Sequence, residues 1–440
     1  MANTYLTWTP SNSGTRAKWT FSAWVKKGET TANGTLFFSG GSNSDYSKIL
    51  LQSSGKLYIS EVGGGSTIWE IQTNRLFRDA SAFYHIVIVY DSGQGTASNR
   101  VKIYVNGVQE TSLSATSYPA QNRGAQWLAG GQQHRIGRDY ISQYFGGVMS
   151  HINFSDGYAL APTVFGSTDS TTGEWKINTS PSFTLGTYGF TILKDGSTIT
   201  DQSSNSNNWS LGGGTLTNTK DCPSNVFATM NPLIPGTTNY TYTNGNNSVT
   251  QSGSSASWVK TVSTLGANSG KYYWEIKANN ASIPQGFYLT LGVSSNTDSV
   301  AASGYPVNGI AYKNNGSVAI NTSIVATIGA YTNGDILSFY LDMDNGALYL
   351  AKNGAIQNSG NPTSGSSKTG AFSLNAPNET HFACASPYGS TANKIDANFG
   401  NGFFGTTAVS SAGTNASGNG IFEYDVPSGY TALSTKGLNQ

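Results

Sequence analysis

KYYWEIK, residues 271–277, places Tyr272, Trp274 and Ile276 on one side of the chain and Tyr273, Glu275 and Lys277 on the other. That period of two is the mark of a half-buried strand. Working outward, Phe287, Leu289, Leu291 and Val293 line one side of a following strand, and Leu337, Phe339, Leu341 and Met343 line another. Asp344-Asn345-Gly346 closes a hairpin into Leu348-Tyr349-Leu350, and Asn353-Gly354 turns the chain again. The same grammar appears much earlier. Trp19 to Val25 alternates large and small residues, and Ile86 to Tyr90 is apolar on both faces. Val101, Ile103 and Val105 then share a side before Asn106-Gly107. Ten Asn-Gly steps punctuate the chain, and each supplies the positive-φ pair that a two-residue hairpin requires.

Composition agrees with an all-β chain. Charged residues make up 11%, against roughly 25% in ordinary soluble domains. Aromatic residues reach 12% and there are 53 glycines, so turn formers and strand formers outweigh helix formers. At 440 residues the chain exceeds one core. Two strand-rich blocks echo each other, each with a long apolar strand followed by a strand ending in Asn-Gly. We therefore expect two tandem sandwiches, over 1–165 and 240–402. An irregular β-rich linker, 166–239, joins them, and a C-terminal segment, 403–440, starts as a low-complexity linker and ends in a strand at Ile421 to Tyr424.

The net charge of +1 provides no basic field for phosphates, which argues against nucleic acid as a partner. No apolar run is long enough to insert in a bilayer. Met1 to Tyr5 lacks the basic and apolar regions of a signal peptide, and we expect synthesis in a bacterial cytoplasm. Cys222 and Cys384 are read as separate, reduced, partly buried thiols, with a disulfide between them as the alternative.

Catalytic patterns are missing. The 23 acidic residues are dispersed, and the Glu-x-Asp-x-x-Glu strand signature of sandwich glycosidases does not occur. Asp342 and Asp344 sit two apart beside a turn. They are either a weak Ca²⁺ pair or, as we expect, a solvated hairpin end. Gly266 to Lys271 is one residue short of a phosphate loop and leads into a strand. His85, His134, His151 and His381 form no metal-binding spacing, and there is no Gly-x-Ser-x-Gly elbow. We expect no enzyme and no cofactor.

Binding is carried by aromatic faces with polar neighbours. Trp69 follows the turn Gly63-Gly64-Gly65, and Trp127 sits among Gln121, Asn122 and Gln126. Tyr140 and Tyr144 bracket a polar loop. These four are the candidate ligand residues, with packing at the open ends of a sandwich as the plainer reading of each.

The opening YLTWTPSNSGTRAKWTFSAWVK (5–26), the stretch from Phe83 to Gly107 and the stretch from Phe145 to Glu174 resemble laminin-G-like, concanavalin-type jelly-roll domains of phage structural proteins. GKYYWEIK (270–277), LTLGVS (289–294), GIAY (309–312) and residues 334–354 resemble the SPRY domain. DCPSNVFATMNPL (221–233) and FEYDVPSGYTALSTKGL (422–438) resemble the linker and C-terminal segment seen where these modules are fused in tailed phages. The resemblance implies two concanavalin-like jelly rolls in a virion surface protein: a tail fibre, an appendage or a capsid decoration. It implies other virion proteins as partners, attachment to a host glycan and a homo-oligomer, most plausibly a trimer. A glycan depolymerase and a purely structural capsid cement are the competing functions. We expect residues 166–239 and 403–440 to gain order from partner chains.

Overall fold

The computed structural model describes residues 3–28, 31–194, 198–234, 239–251, 258–280, 288–295, 304–388 and 393–439. The chain divides into two compact units, Met1–Asn218 and Thr219–Gln440. Each unit is built on two large sheets, antiparallel but for one short parallel pairing in the second, that enclose its main apolar core.

In the first unit an eight-stranded sheet runs Leu113–Ser117, Ser66–Leu76, Lys56–Gly63, Tyr46–Leu51, Gly34–Gly40, His134–Ile136, Tyr5–Trp8 and Ser210–Gly213 in spatial order. A six-stranded sheet faces it: Phe190–Ile192, Gly147–Asp156, Lys18–Lys27, Tyr84–Asp91, Val101–Val105 and Val108–Gln109. Trp19 lies at the centre of the core, stacked on Tyr90 at 5.0 Å and edge-on to Trp127 at 4.9 Å. The Asn106-Gly107 turn has φ of 48° and 79°, the positive pair its sequence predicted.

The segment expected to be a linker is split between the units. Phe190–Ile192 pairs with Gly147–Asp156, and Ser210–Gly213 pairs with Tyr5–Trp8, so residues up to 218 complete the first unit. The reason is a handful of large residues in a polar stretch. Phe190, Ile192 and Trp209 bury in the core, and the Trp175 indole N–H reaches Nδ1 of His85 at 2.9 Å. Residues from 219 onward join the second unit, where Phe227 and Met230 are buried.

The second unit has a nine-stranded sheet with Lys271–Asn280 between Asn393–Asn398 and Ile336–Asp342. Its partner sheet runs Thr261–Ala267, His381–Tyr388, Tyr288–Ser294, Gly309–Lys313, Ser317–Ile320 and Ser323–Thr327. Trp274 is fully buried and stacks on its cross-strand partner Phe339 at 5.4 Å. Leu291 and Val293 are buried as expected; Phe287 and the Leu289 side chain lie outside the described residues.

One expectation fails on this strand. Lys271–Asn280 is buried on both faces, because residues of the C-terminal segment cover Tyr273 and Glu275. The Phe422 ring meets Tyr273 edge-on at 4.8 Å, and Thr431–Ala432 runs parallel beside the strand. Ile421 makes only an isolated bridge to Asn401, so no strand forms at 421–424, and Thr435–Leu438 is a short helix. The described residues of 166–218 and of 403–439 thus pack against the sheets of their own chain. Cys222 and Cys384 are both free thiols; burial pushes the Cys384 thiol up to about 12.

Candidate binding site

The short strand His134–Ile136 is wedged between Gly34–Gly40 and Tyr5–Trp8. His134 and Ile136 point into the core, where Nε2 of His134 accepts the Leu128 N–H at 2.8 Å. Burial holds this imidazole down to about 4, so it stays neutral. Alternation along the strand then forces Arg135 onto the outer face. Gly137 follows at φ 84°, a conformation that favours glycine, and the chain leaves the sheet. The Phe145 N–H returns to the Gly137 carbonyl at 2.9 Å and closes the loop 138–144. Inside that loop Asp139, only 5% exposed, accepts the N–H groups of Ile141, Ser142 and Gln143, each at 3.0 Å.

The result is a ladder of alternating aromatic and cationic groups. The Arg138 guanidinium lies over the Tyr5 ring at 4.8 Å and the Tyr144 ring at 5.0 Å. The Arg135 guanidinium lies over Phe38 at 5.5 Å and Tyr140 at 5.2 Å. Phe38 stacks on Tyr46 at 5.6 Å, and Lys48 Nζ is 5.1 Å from the Tyr46 ring centre. Such contacts hold a cation against a ring face with about 0.5–2 kcal/mol each. Among the described residues Arg135, Arg138 and Lys48 form no ion pair. Burial pushes Lys48 down and the Asp139 carboxylate pulls it back up, while burial and the neighbouring Arg138 charge lower Arg135. Arg138 Nε and Gln143 Oε1 are buried with no hydrogen-bond partner among the described residues. Phe38 is only 1% exposed beneath this layer, so the surface offers a ligand the partly exposed tyrosine rings and the N–H edges of the cations.

Tyr140 and Tyr144 therefore come together, 40% exposed and half-buried respectively. Trp69 and Trp127 do not join them. Both are fully buried in the first core and offer no face to a ligand. Gly64-Gly65 is a tight hairpin tip, and Trp69 is already inside the following strand. Its indole N–H donates to Glu61 Oε2 at 3.1 Å, and the other oxygen of that buried carboxylate takes Arg123 at 2.5 Å. Tyr5, Phe38, Arg135 and Arg138 were missed by sequence reasoning. The only trace was the run Arg135 to Tyr140, two arginines three apart beside a tyrosine.

Asp342 and Asp344 do not converge on a cation. Asp342 is fully buried, not solvated, and binds Lys271 Nζ at 3.0 Å and the Asn345 side chain at 2.8 Å. Asp344 accepts the Gly270 N–H at 2.7 Å. Among the described residues no group of three or more His, Cys, Asp or Glu is placed to hold a metal. A separate cleft of about 260 Å³ lies at the Leu113–Ser117 edge of the same unit, lined by Ile71, Lys102, Ile103, Glu110 and Tyr118 among others. Its carboxylate, Glu110, is already paired with Arg75 at 2.6 Å.

Residues 1–164 match the model of a family described as the concanavalin A-like lectin/glucanases superfamily. That span holds the whole ladder. Among solved structures, the SPRY domain of human HERC1 is 19% identical over 38% of this chain and 96% of that one, with a TM-score of 0.31. A putative carbohydrate binding protein from Bacteroides ovatus is 18% identical over 49% and 58%, with a TM-score of 0.34. A heptameric SAP-like pentraxin from Limulus polyphemus is 19% identical over 36% and 72%, with a TM-score of 0.27. No curated protein matches the chain.

Proposed function

We propose that this chain is a non-enzymatic glycan-binding protein whose ligand lies on the face of Tyr5, Arg138, Tyr144, Arg135 and Tyr140. The observation that carries the reading is the placing of two guanidinium groups, free of ion pairs among the described residues, against aromatic rings on one partly exposed surface. The family match over residues 1–164 supports sugar as the ligand class. The same family includes glucanases, so hydrolysis is the rival. That chemistry uses two carboxyl groups facing one bond. The carboxylates on and beside this face are otherwise engaged: Asp139 holds three loop N–H groups, and Glu70 accepts the Tyr58 hydroxyl at 2.6 Å. Binding without cleavage is the better fit.

The setting is a bacteriophage particle, where the chain is assembled in the host cytoplasm and displayed to a host-surface glycan. That part of the proposal rests on the sequence resemblance alone, as does a threefold assembly with other virion proteins. A glycan array probed with the protein and with Tyr140→Ala tests the core of it. Binding that Tyr140→Ala abolishes is the expected result. A protein that binds no glycan, or that releases reducing ends from one, sinks it.

A further inference from the structure

Resting on the glycan reading, we propose that the ladder face selects an acidic polysaccharide, laid across the strands, whose carboxylates are read by Arg135, Arg138 and Lys48. The argument starts from register. Thr7, Arg135, Phe38, Lys48, Ser60 and Glu70 are successive cross-strand partners, one per strand, and form a straight row over the outer face. Neighbouring strands are roughly 4.8 Å apart, so the backbones of Arg135 and Lys48 stand roughly 10 Å apart with Phe38 between them. This is a span that a disaccharide covers. Phe38 itself is only 1% exposed beneath the Arg135 guanidinium, so the sugar chain meets the cations on either side through its acid groups rather than stacking on that ring.

Charge supports the same choice. Three cations, Arg135, Arg138 and Lys48, stand with two carboxylates, Asp139 and, at the end of the row, Glu70, so positive charge predominates on this face by one. Asp139 is turned inward and spent on backbone N–H groups, so it offers little to a ligand. Each guanidinium keeps donors to spare. Arg135 uses Nε on Gln133 and Nη1 on the Asp139 carbonyl, and Arg138 uses Nη2 on the Ile141 carbonyl. That leaves Nη2 of Arg135 and Nη1 of Arg138 without a protein acceptor among the described residues. Planar forks already held against rings lose little freedom when they meet a planar carboxylate. Glu70 closes the row on one side, where its charge repels an acidic chain and marks the end of the tract.

The test is titration calorimetry with polygalacturonate, dextran sulfate, neutral dextran and a single-stranded oligonucleotide, using the whole chain and its variants. Polygalacturonate should bind, with affinity falling as salt rises, and Arg135→Gln or Arg138→Gln should weaken it at least tenfold. Lys48→Gln repeats the test, with several-fold weakening expected, if an arginine variant fails to fold by circular dichroism. Dextran bound as well as polygalacturonate, with no change in Arg135→Gln, overturns the acidic selectivity while glycan binding stands. Tighter binding of dextran sulfate or of the oligonucleotide overturns the carboxylate assignment. If none of the three polysaccharides binds and a broad glycan array is also blank, the glycan reading itself has failed.

Discussion

Glu275 Oε1 accepts the backbone N–H of Tyr424 at 2.9 Å, across 149 positions of sequence. The other oxygen takes the Glu423 N–H at 2.9 Å and the Asn398 side chain at 3.2 Å, and the Tyr273 hydroxyl lies 2.8 Å from Oε1. A fully buried carboxyl group thus takes two of its four partners from the C-terminal segment. Deleting residues 403–440 removes two of its donors and uncovers the second face of the central strand. Buried polar groups that lose their partners cost about 1–3 kcal/mol each, a large part of the stability of a domain. The second unit of the truncated chain should therefore unfold or become molten, seen as lost near-ultraviolet dichroism and gained dye binding. A truncated chain whose second unit stays folded would show that the covering segment is dispensable.

The same carboxyl group sets a pH dependence. Burial pushes Glu275 up to about 7, against the pull of its donors. The Tyr273 hydroxyl lies between Glu275 and Ser338 Oγ, at 2.8 and 3.0 Å, so it can reverse its donation when Glu275 holds a proton. The unfolded group titrates near 4.3. Between these values the folded chain binds the proton and the unfolded chain does not. Stability from this group is therefore full below about pH 4.3 and falls as pH rises through 7, by about 4 kcal/mol at most. Urea midpoints of the wild type and Glu275→Gln between pH 5 and 8 check this. The downward trend assigned to the second unit should flatten in the variant, and identical slopes would refute it.

In the first unit the sign is opposite. Burial lowers His85 to about 3 and His134 to about 4, below the usual 6.5. The unfolded imidazoles take up protons that the folded ones refuse. Stability is present above about pH 6.5 and is lost as pH falls toward 4. Calorimetry on going from pH 7 to 5 should move the transition of the first unit down, and replacing His85 with a neutral isostere such as Gln should reduce that movement once the variant's own loss of stability is subtracted. A transition indifferent to pH in this window contradicts the burial argument.

Strand order within a hairpin was legible because it is local. Asn106-Gly107 and Asn353-Gly354 both adopt the paired positive φ that their sequence demands. Trp274 was legible for the same reason: alternation within seven residues told which side faced the core. Trp69 and Trp127 were misread because the core that buries them is assembled from distant strands. Glu61 is the cross-strand partner of Trp69, only eight positions away, but the Arg123 that completes the pair lies 62 positions from Glu61. The ladder was half-read. Tyr140 and Tyr144 stand in an evidently polar loop, but Tyr5 and Phe38 reach the same surface only through strand register, which sequence spacing does not encode. The covering of Lys271–Asn280 by residues around 421–432 was hidden likewise, since a Gly- and Ser-rich approach masks the anchoring Phe422 and Tyr430.

Trp274→Ala should cost about 3–5 kcal/mol, as other large aromatic truncations in cores do. Its ring is fully buried and parallel to Phe339 within 5°, so its loss removes a stacked pair as well as leaving a cavity. Trp274→Phe keeps an aromatic ring and should recover part of the loss. A Trp274→Ala chain that melts within a degree or two of the parent would mean that this strand is not central to the core.

Trp69 and Tyr140 separate the two roles an aromatic residue can have in the first unit. Trp69 is buried and donates to the buried Glu61–Arg123 pair, so Trp69→Phe removes a donor to a charged acceptor and should cost about 1–3 kcal/mol of stability. Its distance from the surface means that glycan affinity should follow only the folded fraction. Tyr140 is 40% exposed, and its ring contact is with Arg135. Tyr140→Ala should therefore change stability by less than about 1 kcal/mol, as surface changes do. It should weaken the ligand by about tenfold, since exposed aromatic anchors commonly carry more than 1 kcal/mol of binding. Thermal melts and binding isotherms on the two variants make the comparison. If Trp69→Phe loses binding at full folding while Tyr140→Ala retains it, the ligand does not sit on the Arg135–Arg138 face.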